Sequence, residues 1–145
     1  MLSVIVETGE AAERLPGLLA ALTSAAVDGL VRQVTIVGGP AELLDVLREE
    51  TGADLADGLA EAIVAARSER LLFLPAALRL RGDWLGNLGR HLREGGADAL
   101  IVGEGGALSG RGYGVLIDKA AAAGLARPDL KRLRGHLGRG APRLA

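Results

Sequence analysis

Short runs of uncharged, often branched residues recur along the chain, and each gives way to a stretch with the three-to-four-residue period of a helix. Leu2-Ser3-Val4-Ile5-Val6, Val34-Thr35-Ile36-Val37, Leu71-Leu72-Phe73-Leu74 and Ala99-Leu100-Ile101-Val102 are apolar at consecutive rather than alternate positions. A strand that is apolar on both faces must be covered on both, as in a parallel sheet clothed by helices. Between the runs, Leu15, Leu18, Leu19 and Leu22 fall on one helical face, as do Leu43, Leu44 and Leu47, then Leu59, Ile63 and Ala66, then Trp84, Leu85, Leu88 and Leu92. Val115-Leu116-Ile117 reads as a fifth strand. An Ala-rich helix to Leu125 follows it, and a last helix starts at Pro128 and carries Leu130, Leu133 and Leu137. Asp83 and Asp118 stand where N-caps belong. The alternation predicts one α/β domain with a mainly parallel sheet, and 145 residues leave little room for a second domain.

Several chemistries are excluded by residues the chain lacks. It has no cysteine, which removes disulfides, thiolate metal sites and a cysteine nucleophile together. Its two histidines, His91 and His136, are far apart, so most histidine metal sites are gone as well. The longest uncharged stretch, Leu15 to Val27, has thirteen residues, short of the about 20 needed to span a membrane. No basic stretch with an apolar run marks an export signal, and the expected location is the cytoplasm. The net charge of −1 hides an asymmetry: residues 127–145 carry +5 and the rest −6. That basic tail suits a second copy of the chain in a homodimer, an acidic protein partner or an anionic surface, whereas the acidic body disfavours nucleic acid.

Individual motifs are weak. Glu7 and Thr8 follow the first strand, at the edge where open α/β sheets bind ligands. Gly38-Gly39-Pro40 joins a strand to a helix start and could cradle a phosphate, but it lacks the spacing and the lysine of a P-loop and weighs more as a tight turn. The glycine-rich stretch from Gly103 to Gly114 offers Arg111 for a phosphate and Tyr113 for stacking on a base; the plainer reading is a flexible connection with Tyr113 packed on its own strand. His91, between Arg90 and Arg93, reads as a surface residue, and Ser109 has no nucleophile-elbow pattern around it.

In order, these segments resemble glycosyltransferase family 2, whose members have the GT-A fold and use nucleotide-diphosphate sugars. Ser3-Val4-Ile5-Val6-Glu7-Thr8-Gly9-Glu10, with the leucine-rich helix after it, is similar to the family's opening strand and its P-T-x-N-E turn. Val34-Thr35-Ile36-Val37-Gly38-Gly39 is similar to the strand that ends in D-D-G-S. Ala65-Ala66-Arg67-Ser68-Glu69-Arg70-Leu71-Leu72-Phe73-Leu74-Pro75-Ala76-Ala77 resembles A-A-x-G-D-x-L-L-F-L-D-A-D, with Trp84-Leu85 at the usual W-L. Gly114-Val115-Leu116-Ile117 resembles the later G-x-L-L-I strand, and Asp129-Leu130 the end of E-D-x-D-L. The resemblance spans nearly the whole chain and is densest over its first ninety-odd residues. It implies a Rossmann-type, three-layer GT-A-like domain over residues 1–145.

The departures fall on the chemistry. The metal-binding D-x-D acids correspond to Pro75 and Ala77, neither of which offers oxygen to a hard cation. The nucleoside-recognising acids correspond to Gly38 and Gly39, and the E-D pair that holds the base corresponds to Ala126 and Arg127; of that motif Asp129 alone is kept. The resemblance with these losses implies a domain without metal-dependent transfer and with no resident cofactor, a partner or regulatory unit in envelope or polysaccharide biosynthesis. Its alternatives are a metal-independent transferase on a nucleotide-activated sugar, with Arg79, Arg81 or the tail arginines in place of the metal, and a sugar- or nucleotide-sensing module. The candidate ligand-binding residues are Glu7, Thr8, Gly38, Gly39 and Arg111, with no catalytic or metal-binding residue expected.

Overall fold

The computed structural model describes residues 1–104, 112–125, 129–138 and 140–144. Seven strands, β1 (Leu2–Glu7), β2 (Val31–Val37), β3 (Asp54–Ala56), β4 (Arg70–Pro75), β5 (Ala99–Ile101), β6 (Gly114–Asp118) and β7 (Arg143–Leu144), form one sheet in the order β3-β2-β1-β4-β6-β5-β7. β1, β2, β3 and β4 pair in parallel, and β5 and β7 run the same way. β6 runs opposite, wedged antiparallel between β4 and β5. The four predicted strands do share one direction, but Ala99–Ile101 is separated from β4 by β6 rather than lying beside it.

The strands are buried on both faces because helices cover both. Leu15, Leu19 and Leu22 of α1 (Leu15–Val27), Leu47 of α2 (Ala41–Thr51), and Trp84 and Leu88 of α4 (Trp84–Arg93) pack on the face carrying Val4, Val6, Leu72 and Leu74. Ile63 of α3 (Leu59–Ala65), Ala122 of α5 (Lys119–Ala123) and Leu133 of α6 (Leu130–Leu137) cover the face carrying Ile5, Phe73, Val115 and Ile117. The result is a helix–sheet–helix sandwich, an α/β domain compatible with a Rossmann-like fold. Among the described residues no helix is long and apolar enough to cross a membrane.

Two polar locks fix the edge where β1 and β4 begin. Ser3 and Gln33 are cross-strand neighbours on β1 and β2. The Ser3 hydroxyl donates to Gln33 Oε1 at 3.0 Å, the Arg67 amide donates to the same oxygen at 2.8 Å, and the Ser68 amide donates to Ser3 Oγ at 3.1 Å. Gln33 Nε2 in turn donates to Asp54 at 2.9 Å, so one buried amide side chain joins β1, β2, β3 and the turn entering β4. The second lock is Arg70, whose Nη1 lies 2.6 Å from Asp98 and 2.7 Å from Asp118.

The caps differ in detail from the sequence reading. Asp83 and Asp118 occupy the N-cap positions of α4 and α5, but neither side chain caps its helix. Asp118 is instead drawn to Arg70, a charge-assisted bond that outcompetes a backbone amide. Asp129 does cap, accepting from the Arg132 amide at 2.8 Å.

Candidate functional site

In a parallel sheet, equivalent strand ends lie together, and the register brings the sequence candidates to one edge. Glu7 pairs with Val37 on one side and with Pro75 on the other, so β1, β2 and β4 end level. The crossing backbone is tied down: the Thr8 amide donates to the Val37 carbonyl at 3.0 Å and the Ala76 amide to the Glu7 carbonyl at 2.9 Å. Segments from residues 7–8, 37–39 and 75–77 therefore converge, as expected for the ligand edge of an open α/β sheet.

Three of the five ligand candidates form a closed turn. The buried Thr8 hydroxyl donates to the Gly38 carbonyl at 2.8 Å, and a side chain on Gly39 would stand 3.2 Å from the Thr8 methyl. Gly38 and Gly39 have φ of 77° and 122°, a backbone that other residues rarely adopt. Thr8, Gly38 and Gly39 thus hold each other in a tight turn. Arg111 and Ser109 lie outside the described residues, as do Ala126 and Arg127.

Glu7 is different. Its half-buried carboxyl ends β1, and burial, reinforced by the negative charge of Asp129, raises its pKa above the ordinary carboxylate value. A carboxyl so placed can take or give a proton nearer neutrality, and it makes no side-chain hydrogen bond among the described residues. Asp129 is already engaged, capping α6 and pairing with Arg132 at 3.3 Å.

Pro75 ends β4, and the Leu78 amide donates back to its carbonyl at 3.0 Å to close the next turn. Beside this turn a groove of about 350 Å³ is lined by Glu13, Arg14, Leu18, Leu78, Leu80 and Trp84. Among the described residues no group of three or more His, Cys, Asp and Glu side chains gathers to hold a metal.

The tail supplies what the sequence reading missed. The expected helix forms as α6 and packs on the domain, with Leu133 fully buried, and beyond it β7 pairs with β5. Tyr113, one residue before β6, is buried, with the Arg134 guanidinium 4.5 Å and the Arg143 guanidinium 6.0 Å from its ring centroid. Tyr113 does pack against its own domain, with arginines over the ring. The charge asymmetry marked the tail, but nothing in the order of residues pairs two arginines with a ring 21 and 30 positions away. His91 lies toward the other sheet edge, its Nε2 donating to the Ala97 carbonyl at 2.6 Å. No family model matches the chain, and no curated protein matches it.

Proposed function

We propose that this chain is a GT-A-like domain of the glycosyltransferase family 2 type that does not carry out metal-dependent sugar transfer. It acts in the cytoplasm as a partner or regulatory unit in envelope or polysaccharide biosynthesis. The observation that carries the reading is the convergence of three motif-like segments on one sheet edge: the turn after β1, the Gly38-Gly39 turn after β2 and the Pro75–Ala77 turn after β4. Where the family places metal-binding and nucleoside-binding acids, this edge has a proline, an alanine and two glycines. A departing diphosphate would find no cation coordinated there to neutralise it.

A thermal-shift series against nucleotide-diphosphate sugars, with and without Mn²⁺, tests the reading, paired with an assay for release of nucleoside diphosphate. Ligand at one hundred times its Kd adds about 2.7 kcal/mol, a shift easily resolved. The expected result is no Mn²⁺-dependent stabilisation and no turnover. Release of nucleoside diphosphate that requires Mn²⁺ would refute the proposal.

A further inference from the structure

Arg134 and Arg143 come from different elements, α6 and β7, yet meet over one ring. A guanidinium over an aromatic ring is attracted by the negative face of the ring. A second adds less, because the two like charges repel. No carboxylate offsets these charges: among the described residues neither Arg134 nor Arg143 has an ion-pair partner. Asp129, the acid on the same segment, is taken by Arg132.

The side chains are also preorganised. The ring anchors both guanidinium groups, Arg134 at 4.5 Å and Arg143 at 6.0 Å from its centroid, and a guanidinium carries several N–H donors that match phosphate oxygens in pairs. Tyr113 is fixed in turn by its place at the start of β6 and by the core around Leu133. Both arginines are exposed, so a ligand can reach them from solvent.

We infer that Arg134 and Arg143, aligned on Tyr113, form a binding site for a phosphate group, borne either by a small soluble molecule or by a lipid headgroup. The site takes one phosphate or pyrophosphate unit, with each guanidinium donating to its oxygens. This inference does not rest on the glycosyltransferase resemblance, because neither arginine belongs to a motif that carries it.

The test is a titration of the full chain with inorganic pyrophosphate at constant ionic strength, followed by NMR. The single tyrosine gives one set of ring signals, and the Arg134 and Arg143 Nε–H signals report the donors directly. Saturable shifts of all three are expected. R134Q and R143Q, both at exposed positions, should each weaken binding at least tenfold, while K131Q stays within about twofold of wild type because Lys131 lies off the ring. Co-sedimentation with phosphatidylcholine vesicles, with and without phosphatidate, separates the sources. Tighter binding to phosphatidate vesicles than to pyrophosphate identifies a headgroup, and the reverse a soluble phosphate. Failure to bind either, or loss from K131Q as large as from R134Q, would overturn the inference.

Discussion

Arg70 opens β4 at the sheet edge opposite the candidate site and ties three elements through one guanidinium. Besides Asp98 and Asp118 it donates through Nη2 to the carbonyl of Gly96, which joins the turn after α4, the first residue of β4 and the last of β6. Burial alone would lower its pKa, but the hydrogen bonds and charges of Asp118 and Asp98 outweigh burial and raise it, so the group stays charged. Arg70→Met keeps most of the apolar stem and removes the donors. Breaking a fully buried pair costs about 3–5 kcal/mol, and a fully exposed pair contributes less than about 1. Here Arg70 is 23 % exposed, Asp98 37 % and Asp118 59 %, which places the loss at about 2 kcal/mol. For a domain of this size that lowers Tm by roughly 4–8 °C. Urea unfolding of R70M, D98N, D118N and the two double variants would measure it. The Asp98 coupling should exceed that of Asp118, because its carboxylate is less hydrated. A loss below about 0.5 kcal/mol, or the opposite order of couplings, would refute the argument.

Gln33→Leu should destabilise by about 1–3 kcal/mol in chemical denaturation, because it strands the Ser3 hydroxyl and the Arg67 amide that share its oxygen; wild-type stability would mean these groups are satisfied without it. Glu7→Gln should stabilise the chain at neutral pH and make no difference in acid. Since the folded pKa of Glu7 is raised, its favourable contribution is complete below the unfolded-chain pKa and is lost as pH rises through the folded value; a difference constant with pH would contradict this. Gly114→Ala would bring a methyl within 2.8 Å of both Ile101 and Leu74, so calorimetry should record a loss of about 1–3 kcal/mol, and an unchanged Tm would show that β6 is less tightly wedged than described.

The strands and helices with strong periodicity were legible from sequence, and so was the common edge of Glu7, Gly38 and Pro75. What a buried apolar run does not encode is its direction. Val115-Leu116-Ile117 is equally apolar read either way, so its antiparallel place between β4 and β5 is not legible in its own residues. β3 was missed because Asp54-Leu55-Ala56 has no β-branched residue and no run, and gains its strand form from pairing with Thr35–Val37. At the site, the turn chemistry of Gly38-Gly39 could be read locally. The raised Glu7 carboxyl could not, since it depends first on burial and then on the charge of Asp129, nor could the gathering of Arg134 and Arg143 at Tyr113, which depends on a tail that packs back on the domain.

Both rims of the sheet are short, three residues at β3 and two at β7. An open rim is a row of unpaired amides and carbonyls, a template on which a foreign strand can add and fibrils can grow. β3 begins with Asp54 and β7 with Arg143, charges that disfavour stacking against an identical copy. Pro142, whose carbonyl accepts from Leu100, has no amide of its own and keeps β7 from lengthening backward. On the other side β2 runs from Val31 to Val34 before β3 joins it at Thr35, and the exposed Arg32 interrupts that stretch. A chain that is 49 % hydrophobic thus offers, among its described residues, only short and charge-marked rims for strand addition.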